Sequence, residues 1–201
     1  MSTLNGTSTA PKALAGNFHF LRAFLLNFEL TGSIVPSGRF LVGKMIAPVP
    51  ASYYGQIIEL GPGNGAITLR LAARCPRARI LACEINPTLA RAARTNLRRS
   101  GLEGRVKVVV DAAERLLPAL CQKGGPKADF ILSGIPLANL GREHTHRLLD
   151  VIHDALAPGG MYIQFQYSLM DRKKIKARFR KLRTVPALLN FPPALVYYAW
   201  K

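Results

Sequence analysis

The sequence predicts an α/β fold in which helices cover both faces of a mostly parallel sheet. Short apolar and β-branched runs alternate with helical patterns along most of the chain, as is typical of parallel sheets. The first run, which contains Ile57 and Ile58, leads through Gly61, Gly63 and Gly65 directly into an apolar helical pattern. A chain of 201 residues with 49% hydrophobic residues can bury one such core, but hardly two.

Strands and helices are predicted in regular order after this first unit. Pro87 near a helix start and the breaker Pro158–Gly160 each indicate a helix boundary. The predicted strands are Arg79–Glu84, Arg105–Val110, Ala128–Leu132, Met161–Tyr167 and Leu195–Trp200. The predicted helices are Pro87–Arg99, Ala112–Cys121, Glu143–Leu156 and Asp171–Arg183.

Two further helices are predicted before the sheet. Ser37 is a suitable N-cap for a short helix over Gly38–Ala47. In the helix that precedes it, apolar residues recur at three- and four-residue spacing, namely Phe18, Leu21, Phe24, Leu25 and Phe28. Such an aromatic face is typical either of a helix packed on the core or of an interfacial helix that inserts into lipid.

The composition is strongly basic. Twenty-eight Lys and Arg against 11 Asp and Glu give a net charge of +17, which indicates a polyanionic partner: RNA, DNA or an anionic membrane. The three cysteines share no metal-ligand spacing and suggest reduced thiols in a cytosolic protein. We recognise no signal peptide, and no apolar run reaches the roughly 18–20 residues that span a bilayer. We therefore expect a protein that is soluble or lies on a membrane surface.

Polar residues mark the predicted carboxyl ends of the strands. Glu59, Glu84 and Asp111 stand at three of these ends, and Ser133–Gly134 and Gln166–Tyr167 stand at two others. Ligands of doubly wound sheets bind at this edge. Solvated strand caps would explain one or two of the carboxylates but not so regular a placement, so these residues predict a ligand site.

Two cofactors are compatible with the glycine turn. Gly61–Ala66 satisfies the dinucleotide pattern G-x-G-x-x-A, and Glu84 follows at a distance suited to ribose binding. The longer run Glu59–Gly65 (ELGPGNG) resembles the E/D-x-G-x-G-x-G motif of class I S-adenosylmethionine-dependent methyltransferases. We favour S-adenosylmethionine because a dehydrogenase needs a second substrate-binding region, for which this chain is too short.

This resemblance implies a Rossmann-like, seven-stranded, mostly parallel sheet, and an enzyme that converts S-adenosylmethionine to S-adenosylhomocysteine. By the same resemblance, Glu84 binds the ribose hydroxyls, and Asp111 and Ala112 contact the adenine. The cofactor-binding residues that we predict are Ser37, Glu59, Gly61, Pro62, Gly63, Gly65, Glu84, Ile85, Asp111, Ala112 and Ser133.

Five segments carry a closer resemblance: Gly32–Leu41, Ile58–Gly65, Ser133–Leu137, Gln164–Tyr167 and Asn190–Ala194. They resemble the bacterial phospholipid N-methyltransferases, which are themselves similar to rRNA adenine dimethyltransferases. The resemblance implies methylation of phosphatidylethanolamine and its mono- and dimethyl derivatives toward phosphatidylcholine. Relatives that methylate ornithine lipids make that headgroup the alternative. Methylation of rRNA adenine at N6 and a non-catalytic lipid- or RNA-binding role are the other hypotheses.

The segment Ser133–Leu137 (SGIPL) stands where amino-methyltransferases carry an N/D-P-P-Y/F-like motif. Base-methylating families follow the proline with an aromatic ring, and Leu137 in its place counts against adenine. By resemblance, main-chain carbonyls of Ser133 and Gly134 accept hydrogens of the target amine, and Tyr167 orients it or makes a cation–π contact. Methyl transfer is an in-line displacement, so we expect these groups to act by alignment.

The resemblance also divides the chain into residues 1–50, which supply docking helices and a lid over the cofactor site, and a methyltransferase core over residues 51–201. Arg39 or Lys44 would hold the phosphate of the lipid. Within Arg172–Arg183, eight of 12 residues are basic, and Ile175, Phe179 and Leu182 recur on one side of the predicted helix.

A basic amphipathic helix of this kind attracts an anionic membrane by about 1 kcal/mol per charge. A solvated basic face and nucleic-acid binding are the alternatives. The membrane-binding residues that we predict are Phe18, Phe24, Leu25, Phe28, Arg172, Lys173, Lys174, Lys176 and Arg180. We expect a cytoplasmic protein, peripheral on the inner face of the membrane, with a lipid rather than a nucleic acid as substrate.

Three histidines lie on one predicted helix, beside Glu143 and Asp150. His144 and His146 point to different faces of that helix, so they cannot share a metal ion. We therefore predict no metal site.

Overall fold

The structure is a computed structural model that describes residues 36–122, 124–125, 127–190 and 193–201. In this part of the chain, seven strands form one sheet in the order β3-β2-β1-β4-β5-β7-β6. The strands are β1 (Gln56–Leu60), β2 (Arg79–Glu84), β3 (Val106–Val110), β4 (Ala128–Ser133), β5 (Leu156–Gln166), β6 (Lys181–Ala187) and β7 (Ala194–Trp200). The first five are parallel, and β7 pairs antiparallel with both β5 and β6. The predicted seven-stranded, mostly parallel sheet is confirmed.

Helices cover both faces of this sheet. The described helices are α1 (Pro36–Ile46), α2 (Ala66–Arg74), α3 (Pro87–Arg99), α4 (Ala113–Gln122), α5 (Arg142–Ala155) and α6 (Arg172–Lys176), with a 3-10 turn at Leu137–Asn139. On one face, Leu41, Leu71 and Leu97 bring α1, α2 and α3 into a single apolar cluster. On the other face, Leu117 and Leu148 do the same for α4 and α5. The central strands are therefore buried from both sides, which explains their nearly continuous apolar runs.

The helix α3 shows how local sequence places an element. Its N-cap is Asn86, whose side chain accepts hydrogen bonds from the backbone N–H groups of Thr88 and Leu89 at 2.9 and 3.3 Å. Pro87 occupies the first helical position, where no N–H is needed. The predicted bounds of this helix are correct, and its start lies directly after the end of β2.

The predicted helix over Asp171–Arg183 is wrong. The helix α6 ends at Lys176, and the chain enters strand β6 at Lys181. Ile175 and Phe179 are buried in the core, where the Phe179 ring stacks on Tyr162 at 5.5 Å. The apolar spacing therefore reflects packing against the sheet, and not a face open to lipid. Pairing of β6 with β7 covers an edge of β7 that would otherwise be exposed, which outweighs helix propensity here.

Two smaller differences have backbone causes. The strand β5 begins at Leu156 and runs through the predicted breaker Pro158–Gly160, because a register shift between Ala128 and Phe130 of β4 accommodates the extra residues. The helix α1 begins at Pro36, so Ser37 lies inside its first turn and is not the N-cap. Proline favours the first helical position because its φ angle is already fixed there.

The structure describes only some of the residues for which we predict N-terminal helices. Phe18, Phe24, Leu25 and Phe28 lie outside the described residues. The helix α1 is tied to the sheet, since the Tyr198 hydroxyl donates a hydrogen bond of 2.7 Å to the Lys44 carbonyl. Within the described ranges, no helix combines the length and the apolar character needed to cross a membrane. The division at residue 50 stays a prediction.

Candidate active site

The glycine turn after β1 is built from left-handed backbone. Gly61, Gly63 and Gly65 have φ angles of 68°, 61° and 92°, a region that residues with a Cβ atom rarely adopt. The Gly61 N–H donates to the Cys83 carbonyl of β2 at 2.8 Å, and Gly65 is the N-cap of α2. The turn therefore brings bare backbone to the carboxyl edge of the sheet, where a ligand can approach closely.

Glu84 ends β2 directly opposite this turn. Its carboxylate accepts hydrogen bonds from the Gly63 N–H at 3.0 Å and from the Asn86 N–H at 2.9 Å. The side chain is 6% exposed. Burial raises the pKa of Glu84, whereas hydrogen bonds from the backbone of Asn86, Gly63 and Ile85 lower it. One carboxylate thus fixes both the glycine turn and the start of α3.

The end of β3 presents a second acidic group. The Asp111 carboxylate accepts from its neighbour's N–H, that of Ala112, at 2.8 Å and forms an ion pair with Arg115 at 2.7 Å. Cys83 lies behind it, with its Sγ 3.2 Å from the Asp111 carbonyl. Burial raises the pKa of this thiol to about 12, so Cys83 is a neutral wall of the site rather than a nucleophile.

The end of β4 closes the site against the glycine turn. The Gly134 N–H donates to the Leu60 carbonyl at 2.8 Å, and a Cβ atom at Gly134 would lie 2.7 Å from the Gly61 carbonyl oxygen. Two backbone segments therefore touch at a point where only glycine fits. This contact sets the distance between the glycine turn and the segment Ser133–Leu137.

These strand ends surround a cavity of about 760 Å3. Its described lining includes the carboxylates of Glu84, Asp111 and Glu114, and no Lys or Arg. A chain of net charge +17 thus forms a cavity whose charged groups are acidic. Arg115 forms an ion pair with Asp111 and His144 contacts Glu114, so the excess of negative charge is moderate, but its sign suits a cation better than an anionic pyrophosphate. The cavity therefore disfavours the dinucleotide alternative.

Comparison with known proteins agrees with this chemistry. The family described as "Methyltransferase domain" matches residues 57–160, which is more than half of the chain. The chain belongs to this methyltransferase family. It has the sheet and the cofactor cavity of the class I enzymes, and it is an S-adenosylmethionine-dependent methyltransferase.

Two relatives and one solved structure are similar to this chain. An ornithine lipid N-methyltransferase of Singulisphaera acidiphila is 29% identical over 90% of this chain and 94% of its own length. Ribosomal RNA large subunit methyltransferase G of Shewanella amazonensis is also 29% identical, over 70% of this chain but only 37% of its own length. A crystal structure of a Bacillus cereus O-methyltransferase in complex with S-adenosylhomocysteine has a TM-score of 0.66 at 17% identity, and covers 97% of this chain and 93% of that one. The last comparison shows the fold alone.

The described residues fit S-adenosylmethionine. Glu84 would hold the ribose hydroxyls, and Asp111 and Ala112 would lie beside the adenine. The glycine turn leaves room for the amino-acid end, since Gly61 and Gly63 line the cavity without side chains. When bound, S-adenosylmethionine supplies an electrophilic methyl group on a positively charged sulfur, which the acidic walls favour.

Of the other predicted cofactor-binding residues, some line the cavity and others are buried outside the described lining. Pro62 and Ile85 line the cavity, and 71% of the Ile85 side chain is exposed. Gly65 and Ser133 are buried and lie outside the described lining. The Ser133 hydroxyl accepts a hydrogen bond from the Ile135 N–H at 3.2 Å, so it shapes the turn at the end of β4. Direct contact of Gly65 and Ser133 with the cofactor stays a prediction.

The turn Ser133–Leu137 is held from below by glutamine. Gln164 of β5 donates to the Ile135 carbonyl at 3.0 Å and accepts from the Tyr162 hydroxyl at 2.5 Å. Gln164 is fully buried. Because Ile135 and Pro136 line the cavity, this chain of hydrogen bonds fixes part of its wall. Gln164 belongs to one of the segments that carry the family resemblance, Gln164–Tyr167. It therefore acts by holding the turn that follows the neighbouring strand β4.

Tyr167 does not belong to the described cavity lining. Phe165, two residues earlier, lines the cavity and meets the Tyr167 ring edge-on, with the ring centroids 5.8 Å apart. Burial raises the pKa of Tyr167, and a side-chain hydrogen bond with Asn190 lowers it. The role of Tyr167 toward the methyl acceptor stays a prediction. Phe165 was not predicted from the sequence, although its position one residue before the strand end is a usable signal.

Glu59 is buried beneath the glycine turn and is not part of the described cavity lining. Burial raises its pKa to about 7, the Thr68 hydroxyl of α2 acts in the opposite direction, and the charge of Glu84 adds to the rise. The folded state therefore favours the neutral carboxyl. Direct contact of Glu59 with the cofactor stays a prediction.

Replacement of Glu59 by Gln is expected to flatten the pH dependence of stability. The stabilising contribution of a carboxyl with a raised pKa is complete below its ordinary value of 4.5 and is lost as the pH rises through about 7. Between pH 5 and pH 8, the native chain should lose on the order of 2 kcal/mol of unfolding free energy through this carboxyl, and Glu59→Gln should not show that loss. Urea unfolding of the cofactor-free protein at both pH values measures this. Glu103→Gln, at an exposed carboxylate, is the control, and parallel pH profiles for Glu59→Gln and the native chain would contradict the prediction.

The predicted phosphate and membrane cations are mostly at the surface. Arg39 and Lys44 are exposed on α1, and Arg172, Lys173, Lys176 and Arg180 are exposed on and after α6. Lys174 instead forms an ion pair of 2.7 Å with the buried carboxylate of Asp171. Of Ser37, the structure describes only its place within α1. Contact of these residues with lipid or cofactor stays a prediction.

The histidines of α5 have structural partners on other elements. His144 lines the cavity and contacts the Glu114 carboxylate, while the His146 ring lies 2.7 Å from the Arg178 guanidinium. No group of His, Cys, Asp and Glu suited to a metal ion occurs among the described residues. His144 and Glu114 are cavity residues that sequence reasoning missed, because their meeting joins two helices 30 residues apart.

Proposed function

We propose that this methyltransferase transfers methyl groups from S-adenosylmethionine to the amine of a membrane lipid. The observation that carries the proposal is the extent of one similarity. The likeness to the ornithine lipid N-methyltransferase covers 90% of this chain and 94% of that protein, so it reaches well beyond the catalytic domain at residues 57–160. Ornithine lipid is therefore the first acceptor to test, and phosphatidylethanolamine, whose headgroup also ends in an amine, is the second.

The segment after β4 supports an amine over a nucleobase. Leu137 is fully buried in the core of the second sheet face. It therefore offers no ring or open surface on which a flipped base would stack. The likeness to the ribosomal RNA methyltransferase covers only 37% of that protein, which is the extent expected of a shared catalytic domain. Adenine N6-methylation is thus the less favoured acceptor chemistry.

The charge of the site suits an amine that enters as a cation. A lipid amine has a pKa near 10, so most of it carries a proton at neutral pH. The cavity wall has three carboxylates and no described Lys or Arg, which lowers the energy of a nearby cation. Such a wall would attract the protonated headgroup to the site. The acceptor nitrogen must then lose its proton, because only the neutral amine has the lone pair that accepts a methyl group.

Incubation with S-adenosylmethionine labelled in its methyl group tests the proposal. Three acceptors are compared: vesicles that contain ornithine lipid, vesicles that contain phosphatidylethanolamine, and ribosomal RNA. We expect label in one or both amine lipids and none in RNA, with phosphatidylglycerol vesicles as the control without an amine. Label confined to RNA would overturn the proposal. Cofactor binding without transfer to any acceptor would instead favour a non-catalytic role.

A further inference from the structure

Four large apolar side chains are exposed on two neighbouring loops. Leu169 and Met170 follow β5 and are 58% and 75% exposed, while Leu188 and Leu189 follow β6 and are 71% and 66% exposed. We call these four residues the apolar rim. They make up half of the large hydrophobic side chains that are exposed in the described part of the chain. Apolar groups gathered in this way mark a surface that binds a partner.

The apolar rim lies at the cavity edge of the sheet. Gln166, at the end of β5, pairs with Leu195, and Ala187, at the end of β6, pairs with Ala194. Both loops therefore leave the sheet on the side where β1 to β4 end and where the cavity opens. Because β7 separates β5 from β6, the two loops start about 10 Å apart.

Buried polar contacts hold both loops in place. The Tyr197 hydroxyl donates to the Ser168 carbonyl at 3.2 Å, and the buried Asp171 pairs with Lys174. In the second loop, the Asn190 N–H donates to the Ala187 carbonyl at 3.2 Å, and Asn190 is itself 3% exposed. The four apolar side chains are thus exposed on anchored backbone. Polar residues stand next to them in the sequence and could have faced the solvent instead.

Basic residues follow the first loop of the apolar rim. Arg172, Lys173 and Lys176 are exposed directly after Met170, and Arg183 is exposed on β6. Asp171 is the single acidic residue between Leu169 and Lys176, and it is buried in its ion pair. Apolar side chains bordered by free cations complement an anionic bilayer, in which acyl chains lie just below negative headgroups.

We propose that the apolar rim inserts into the interface of an anionic bilayer while Arg172, Lys173 and Lys176 contact the headgroups. The cavity edge of the sheet then faces the membrane, so a headgroup reaches the site without leaving the bilayer surface. This inference rests on the proposed lipid acceptor and names the surface that docks on its source. The docking side chains are the loop residues, since Ile175 and Phe179 are buried in the core.

Vesicle sedimentation of the full chain tests the apolar rim. The vesicles contain phosphatidylcholine with or without phosphatidylglycerol, so binding is measured without any amine acceptor of the proposed reaction. Leu188→Ser/Leu189→Ser should weaken binding to the anionic vesicles at least about tenfold, because two apolar side chains lose their transfer from water. Lys173→Glu/Lys176→Glu should weaken binding to anionic vesicles and leave the weak binding to neutral ones unchanged.

A control variant and a probe complete the test. Tyr54→Ser changes an exposed apolar residue at the opposite edge of the sheet, just before β1, and should not alter vesicle binding. Unchanged affinity for S-adenosylhomocysteine shows that each variant is folded. In Leu188→Trp, the added fluorescence should shift to the blue and be quenched by brominated lipid only when vesicles are present.

Three outcomes would overturn the inference: full vesicle binding by Leu188→Ser/Leu189→Ser, equal binding to neutral and anionic vesicles, or a blue-shifted Leu188→Trp spectrum without vesicles. The last result would mean that another part of the chain covers the apolar rim. Failure of the proposed function is distinguishable, because it would leave vesicle binding intact while no lipid amine becomes labelled.

Discussion

Replacement of Glu84 by Ala is expected to reduce the affinity for S-adenosylmethionine by about 100-fold or more, since hydrogen bonds to charged groups contribute about 1.5–3 kcal/mol each. The variant loses the predicted contact with the ribose hydroxyls. It also leaves the N–H groups of Gly63 and Asn86 without their acceptor inside the cavity wall. Isothermal titration calorimetry with the cofactor measures the loss.

Glu84→Gln keeps the shape of the side chain and one acceptor oxygen, so its affinity should lie between those of the native chain and Glu84→Ala. Glu103→Gln, at an exposed carboxylate far from the described cavity lining, is the matched control and should bind normally. If Glu84→Ala binds S-adenosylmethionine as tightly as the control, the assignment of this strand end to the cofactor is wrong.

The variant Gly134→Ala should lose both stability and cofactor affinity, because its Cβ atom would lie 2.7 Å from the Gly61 carbonyl oxygen. The obstacle is backbone and cannot rotate away, so the ends of β1 and β4 must separate. Overpacking of this kind costs about 1–3 kcal/mol, which corresponds to a fall in Tm of about 2–12 °C for a chain of this size. We expect the affinity for S-adenosylmethionine to fall by about tenfold, or 1.4 kcal/mol.

The matched control for this change is Gly104→Ala. Its Cβ atom would meet nothing within 4 Å, and its backbone lies outside the left-handed region that disfavours alanine. Differential scanning calorimetry and cofactor titration of both variants separate a local clash from a general effect of removing glycine. Equal Tm values for the two variants would show that the contact between Gly134 and Gly61 yields easily.

Local patterns predicted the elements whose signals lie within one segment. The helix Pro87–Arg99 carries its own cap and proline, and the glycine turn carries its own backbone geometry, so both were predicted correctly. The helix predicted over Asp171–Arg183 is wrong because the spacing of its apolar residues suits a helix as well as a buried turn followed by a strand. Only the exposed edge of β7, which is distant in sequence, decides between the two.

The site residues also fall into two groups: those that a local pattern predicts and those that only the packing of distant elements brings together. Glu84, Asp111 and the glycines at 61 and 63 could be assigned from sequence because each ends or follows a strand, and they line the cavity. Tyr167 could not be placed in this way, since the described cavity lining contains Phe165, which contacts the Tyr167 ring, but not Tyr167 itself. Glu114 and His144 meet only through the packing of α4 against α5, which no local pattern reports.

The sequence by itself determined the parallel sheet and the strand ends that line the cavity, because alternation, glycine and carboxylate positions are local properties of the chain, and its resemblance to a family motif indicated the cofactor. The tertiary structure decided which of those residues line the cavity and where the apolar surface lies. It buried Ile175 and Phe179 in the core and left Leu169, Met170, Leu188 and Leu189 exposed at the cavity edge. The reason is physical: exposure depends on which elements pack together, and that pairing joins residues far apart in sequence.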